Sequence, residues 1–150
     1  MTKFVEARVS HRFKAAAERV FDAWLDPGSV RAWLAIPEDG KRDFDVRRVE
    51  IDARVGGKFT FSDMREDGEA VHWGYYEVID RPRRLVFTWF VSEEEEEEGT
   101  SQVTLTLDPL ADGGCQATII HRMDAQWAEW VGRTAEGWGT MLAKIGRLVG

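Results

Sequence analysis

The feature that most constrains the fold is a periodic apolar stripe near the C-terminus of the chain. This spacing of three and four residues places side chains on one face of an α-helix. We therefore predict one long amphipathic helix over residues 124–150. A stripe this wide and aromatic needs a large apolar partner surface, which the strand-like segments between residues 44 and 123 can supply. The residues of the stripe are Trp127, Trp130, Val131, Trp138, Met141, Leu142, Ile145, Leu148 and Val149.

The rest of the chain predicts an antiparallel sheet with two short helices after its first strand. Residues 4–13 alternate with a period of two, residues 14–25 take helical spacing, and Ser29 is a candidate N-cap for a second helix that Pro37 and Asp39-Gly40 close. We expect an α+β fold forming one domain over residues 1–150. Turn signals separate six further strands, predicted at 46–53, 58–64, 70–79, 85–91, 103–107 and 116–123.

Composition and charge exclude several classes of function. The formal charge of −7 argues against a nucleic-acid binder, which needs a basic surface. The sequence contains no apolar run of about 20 residues, so we expect no membrane span, and without a secretory signal we expect a cytoplasmic protein. Cys115 is the only cysteine, so an intrachain disulfide is impossible.

Several motifs in order along the chain carry a family resemblance. Residues 18–24 (ERVFDAW), 26–27 (DP) and 31–34 (RAWL), then 56–59 (GGKF), Gly74, 80–89 (DRPRRLVFTW) and Gly137-Trp138 resemble the START-like, Bet v 1-like superfamily. Within it, the chain resembles the branch similar to the activator of the ninety-kilodalton heat-shock-protein ATPase. That branch often has proline before the first helix and threonine before the Asp-Pro pair, where this chain has 14–17 (KAAA) and Leu25. The resemblance implies a helix-grip fold, in which a curved sheet of six to seven strands wraps around the C-terminal helix. It also implies a small hydrophobic or amphipathic ligand held between the sheet and that helix.

The candidate binding residues are the large side chains expected between sheet and helix. They can either line a ligand cavity or fill it as ordinary core, and the sequence weighs these two readings about equally. His72 and His121 can orient a ligand there, although a hydrogen-bonded core histidine is the more common situation. The predicted set is Trp33, Phe59, Phe61, His72, Tyr76, Phe87, Trp89, His121, Trp138, Met141 and Leu142.

No catalytic, metal or cofactor site is predicted. The three histidines lie far apart in the sequence, and Cys115 lacks the surroundings that activate a thiol. Gly56-Gly57 lacks the Lys-Ser/Thr pair of a phosphate loop and therefore indicates a turn.

Three functions are compatible with these features. The first is binding of a small apolar molecule in the cavity. The second is a chaperone-associated or stress-response interaction module, in which Glu93–Glu98, expected as a mobile and solvated hairpin tip, contacts a protein partner. The third is an enzyme of the aromatase or cyclase kind, which needs convergent polar groups that the sequence does not reveal.

Overall fold

The computed structural model describes residues 3–37 and 45–150 of the chain. The predicted α+β fold is confirmed, including the two short helices that follow the first strand. The turn predicted at Asp39-Gly40 lies outside the described residues. The strands are β1 (Phe4–Phe13), β2 (Asp45–Ile51), β3 (Lys58–Arg65), β4 (Gly68–Asp80), β5 (Arg84–Thr88), β6 (Gln102–Pro109) and β7 (Cys115–Asp124). The α-helices are α1 (Ala17–Leu25), α2 (Pro27–Ala35), α3 (Glu93–Glu98) and α4 (Val131–Val149), and a 3-10 helix spans Ala125–Trp130.

The seven strands form one curved antiparallel sheet in the order β1-β7-β6-β5-β4-β3-β2. The chain therefore winds as a meander from β2 to β7, and β1 pairs with β7 along its whole length. Helix α4 packs against β1 and against α1 and α2. The sheet and these helices enclose the core, which places the candidate residues of β3, β4 and β5 opposite α4.

The predicted long C-terminal helix is confirmed, but its N-terminal part is not α-helical. Residues 125–130 form the 3-10 helix, in which Trp127 departs from helical geometry with φ −97° and ψ 17°. A 3-10 helix has three residues per turn, so the apolar face of α4 does not continue through it. As a result Trp130 is 40% exposed, whereas Trp138, Leu142 and Ile145 are buried.

The first two helices begin at different residues from those predicted. Helix α1 begins at Ala17 rather than at residue 14, because Ala16 has extended backbone geometry. Asp26, not Ser29, caps α2: its carboxylate accepts a hydrogen bond from the Ser29 backbone N–H at 2.8 Å. Pro27 at the first helical position lacks an N–H and has a φ suited to a helix, so the helix begins directly after Asp26.

The acidic run Glu93–Glu98 lies in the connection between β5 and β6 with no buried residue, as predicted, but it forms helix α3. The Ser92 hydroxyl caps the N-terminus by accepting from the Glu95 N–H at 3.3 Å, and Gly99 ends the helix with φ +69°. The Glu96 carboxylate accepts hydrogen bonds from Trp73 Nε1 at 2.8 Å and from the Tyr75 hydroxyl at 3.1 Å. These contacts fix α3 against β4 despite the repulsion between its like charges.

Two glycine positions shape the sheet. Gly56 has φ +84° in the turn between β2 and β3, as expected for a turn rather than a phosphate loop. A Cβ at Gly74 would lie 1.8 Å from the Thr88 carbonyl oxygen, so only glycine allows β4 and β5 to approach so closely.

Strand β5 ends at Thr88 rather than at residue 91, and Phe90 pairs separately with Trp73. Among the described residues, no helix is both long and apolar enough to cross a membrane.

Candidate functional site

The candidate site is a cavity of about 510 Å³ beside the first half of α4. We call it the main cavity. Helix α3, the end of β7, the 3-10 helix and α4 form its walls, and Trp89, His121 and Trp138 lie on its inner side. It is lined by Trp89, Val91, Ser92, Glu94, Glu95, Glu98, Thr100, Ser101, His121, Met123, Asp124, Trp127, Trp130, Thr134, Gly137, Trp138 and Met141.

A second cavity of about 240 Å³, the side cavity, lies beyond Trp89 and Met141. These two side chains and Gly137 line both cavities, so they form the partition between them. Phe61 and His72 line the side cavity but not the main cavity, and the His72 ring stacks on Trp89 with centroids 5.0 Å apart. Burial lowers the pKa of His72.

The remaining predicted residues lie in packed core. Phe59, Tyr76 and Phe87 surround a gap of only about 10 Å³, and burial raises the pKa of the Tyr76 hydroxyl. Trp33 and Leu142 are fully buried and line neither the main nor the side cavity. The Trp33 indole N–H donates to the Ala23 carbonyl oxygen at 2.9 Å, which is a structural hydrogen bond within the first two helices. The structure thus divides the predicted set between cavity wall and core.

A chain of buried hydrogen bonds runs along the inner wall of the main cavity. Trp138 Nε1 lies 3.0 Å from His121 Nδ1, and His121 Nε2 lies 2.7 Å from the Ser101 hydroxyl oxygen. All three side chains are buried, with exposed fractions of 4% for Trp138, 6% for His121 and 8% for Ser101. His121 is therefore a hydrogen-bonded histidine that also faces the cavity.

The donor in the first of these bonds fixes the protonation of the ring. An indole N–H can only donate, so His121 Nδ1 must accept. A neutral imidazole then carries its proton on Nε2 and donates it to Ser101. Protonation of Nδ1 would set two N–H groups against each other, and burial lowers the pKa of His121 to about 4. The imidazole is consequently neutral near pH 7.

Part of the lining of the main cavity is acidic. Glu94, Glu95, Glu98 and Asp124 line it, no lysine or arginine does, and none of the four forms an ion pair with another described residue. Burial raises the pKa of Glu95, and the nearby carboxylates of Glu98 and Glu94 raise it further. A hydrogen bond from the Val91 N–H lowers this pKa but does not outweigh the other effects. The cavity thus combines an aromatic surface with unpaired negative charge at one side.

The described residues contain no cluster of three or more potential metal ligands. His11 packs on Phe13, with ring centroids 4.7 Å apart, and lines neither cavity. Cys115 is the first residue of β7, and burial raises the pKa of its thiol. A raised pKa disfavours the reactive thiolate.

Sequence reasoning missed most of the main cavity. Trp127 and Trp130 belonged to the helical stripe, and the 3-10 helix turns them toward the cavity instead. Asp124 could have been recognised as a helix N-cap from the sequence, because aspartate is common at that position. Its carboxylate caps the 3-10 helix by accepting a hydrogen bond from the Gln126 N–H at 3.0 Å. Nothing in the sequence distinguishes Ser101, whose role depends on strand register: Val103 pairs with His121 and brings the end of β6 beside that histidine.

Comparison with known structures supports the fold. Protein CV1439 from Chromobacterium violaceum is 27% identical, with a TM-score of 0.76 over 97% of each chain. Protein SA2116 from Staphylococcus aureus is 18% identical, with a TM-score of 0.81 over 99% of this chain and 94% of that one. CalU16 from Micromonospora echinospora is 21% identical, with a TM-score of 0.63 over 99% and 86%.

No curated protein matches the chain. A family model does: the one described as Activator of Hsp90 ATPase homolog 1-like protein matches residues 14–150. The match includes all of the motifs that carried the resemblance and every residue that lines the main cavity. The chain belongs to the Activator of Hsp90 ATPase homolog 1-like family.

Proposed function

We propose that the protein binds a small, largely apolar molecule in the main cavity. The observation that carries this proposal is the cavity itself, whose volume of about 510 Å³ falls within the range of roughly 300–1,000 Å³ typical of ligand sites. Four tryptophans line it, and aromatic walls with a few polar groups are typical of such sites.

The glycine in the partition favours a ligand over a partly filled core. A Cβ at Gly137 would meet no heavy atom within 4 Å, so the backbone of α4 is bare on this side. Glycine inside a helix costs about 1 kcal/mol relative to alanine. Close approach of a ligand to α4 would explain why glycine occupies position 137 despite this cost. Gly139 differs, because a Cβ there would already contact Val9 of β1 at 3.4 Å.

A titration with Nile red, a neutral apolar dye, tests the proposal. We expect saturable binding of one dye per chain, with quenching of tryptophan fluorescence. Gly137→Leu should place a side chain in the cavity and weaken binding severalfold, whereas Gly132→Leu, also at an open glycine of α4 but outside the cavity, should bind as the wild type does. Linear, unsaturable uptake by the wild type would refute the proposal.

A second candidate function is an interaction module of the kind that the family description suggests. The observation that favours it is α3, a helix of six glutamates with no buried residue. Glu93, Glu94 and Glu97 are exposed, and Val91 beside them is 52% exposed. An acidic helix next to an exposed apolar side chain is suited to a basic, amphipathic segment of a protein partner.

This candidate has a separate test. Glu93→Gln, Glu94→Gln and Glu97→Gln together should leave the free energy of unfolding within about 0.5 kcal/mol, since exposed side chains contribute little. Binding to a basic amphipathic peptide should weaken and lose its dependence on salt. Unchanged binding by the triple variant would rule out α3 as the contact surface.

A further inference from the structure

We propose that the ligand of the main cavity presents a neutral hydrogen-bond acceptor, such as the carbonyl oxygen of a ketone, ester or amide, to the Ser101 hydroxyl. This inference rests on the proposed function and specifies the ligand class. It assigns to Ser101 a binding role and to His121 and Trp138 the role of positioning residues.

The direction of the hydrogen bonds leaves one donor available. Because Trp138 donates to His121 and His121 donates to Ser101, the Ser101 oxygen serves as an acceptor. Its own O–H hydrogen has no acceptor among the described residues, since the bond to His121 is the only one that Ser101 forms with them. The side chain is 8% exposed and lines the main cavity.

A buried hydroxyl hydrogen without an acceptor is unfavourable, and a ligand that supplies the acceptor removes this cost. The chain from Trp138 also holds the hydroxyl oxygen in place. Trp138 packs against Trp89, with ring centroids 5.0 Å apart, so the donor at its far end is positioned before the ligand arrives. A positioned donor loses little conformational entropy on binding.

The charges of the cavity determine which acceptors fit. Thr100, the residue before Ser101, donates to the Glu98 carboxylate at 3.0 Å, and Glu98 lines the same cavity as Ser101. Glu94, Glu95 and Asp124 add further negative charge along the same wall. A carboxylate or phosphate on the ligand would be repelled. An ammonium group cannot accept a hydrogen bond from Ser101, so the contacting group is a neutral acceptor.

Three naphthalenes that differ in one group test this inference by isothermal titration calorimetry. They are 2-acetylnaphthalene, 2-isopropenylnaphthalene, in which a CH₂ group replaces the carbonyl oxygen, and 2-naphthoate, which is anionic. We expect the wild type to bind the ketone about 3- to 10-fold more tightly than the alkene, as one neutral hydrogen bond allows. The naphthoate should bind at least about 10-fold more weakly than the ketone.

Ser101→Ala should abolish the preference for the ketone and leave the affinity for the alkene within about twofold. The matched control is Ser10→Ala, which removes a hydroxyl from the outer side of β1, where Ser10 bonds Thr118. This variant should keep the wild-type preference. The comparison of ketone and alkene in the wild type needs no variant, so the inference can be refuted even if Ser101→Ala fails to fold.

The outcomes separate the inference from the proposed function. Equal, saturable binding of ketone and alkene would overturn the inference and leave the proposed function standing. A preference that persists in Ser101→Ala, or tight binding of the naphthoate, would overturn the inference in the same way. Absence of saturable binding for all three compounds and for Nile red would overturn both.

Discussion

Trp24 and Trp138 form a matched pair for testing the hydrogen-bond chain of the main cavity. Each is 4% exposed, and their rings lie 6.3 Å apart in the same aromatic cluster. The Trp138 indole N–H donates to His121, whereas the Trp24 N–H has no acceptor among the described residues. Replacement by phenylalanine removes the same atoms at both positions but breaks a hydrogen bond at only one.

The expected difference in stability follows from that contrast. Both variants lose the same ring atoms from a buried site, so their packing costs should be similar. Trp138→Phe also leaves one nitrogen of His121 without a partner, whichever tautomer the ring adopts, at a cost of about 1–3 kcal/mol. Trp24→Phe removes a donor that is already unpaired. We therefore expect Trp138→Phe to be more destabilising than Trp24→Phe by about 2 kcal/mol.

Urea denaturation of both variants measures this difference, provided that the m-value stays at its wild-type level. Nitrogen-detected NMR of His121 gives an independent check, because the wild-type ring should carry its proton on Nε2. Equal losses of stability for the two variants, or a proton on Nδ1 in the wild type, would refute the assigned direction of the chain.

Three further predictions concern other parts of the structure. Because burial lowers the pKa of His121 from 6.5 to about 4, the unfolded chain binds a proton that the folded chain does not. The free energy of unfolding should thus fall by up to about 3 kcal/mol as the pH falls from 6.5 to 4, and His121→Gln should lose that dependence in urea titrations. Gly137→Ala and Gly132→Ala should each raise the free energy of unfolding by about 0.5–1 kcal/mol, because both glycines lie in α4 with open space where a Cβ would be. A loss of stability in either variant would show that the backbone there is in closer contact than the structure indicates. Glu96→Ala should speed amide hydrogen exchange throughout α3, because it removes two hydrogen bonds to β4, whereas Glu97→Ala at an exposed position should not. Equal exchange rates in the two variants would mean that these hydrogen bonds do not hold α3 against β4.

The fold was predictable because hydrophobic periodicity and turn residues act locally. Alternation in residues 4–13 and the glycine turns defined the strands, and the face carrying Trp138, Leu142 and Ile145 defined α4. The exact helix starts depended on caps. Asp26 rather than Ser29 caps α2. Asp124 caps a 3-10 helix that the spacing of the apolar residues did not predict.

The candidate site was only partly predictable, since it depends on how tightly distant elements pack. The aromatic residues of β3, β4 and β5 were recognised, but Phe59 and Phe87 fill the interior instead of lining the main cavity. The hydrogen bonds of Glu96 to Trp73 and Tyr75 hold α3 in place, and they join residues more than 20 positions apart. Such contacts have no signature in a single sequence, and without α3 the main cavity would lack one wall.

The seven tryptophans of the chain offer the most direct test of the proposed ligand site. Each indole N–H gives its own signal in a nitrogen–proton correlation spectrum, and Trp89, Trp127, Trp130 and Trp138 line the main cavity, whereas Trp24, Trp33 and Trp73 do not. Titration with 2-acetylnaphthalene should shift the four cavity signals most, along one saturable curve. Larger shifts at the three other tryptophans, or shifts that grow linearly without saturation, would contradict the account.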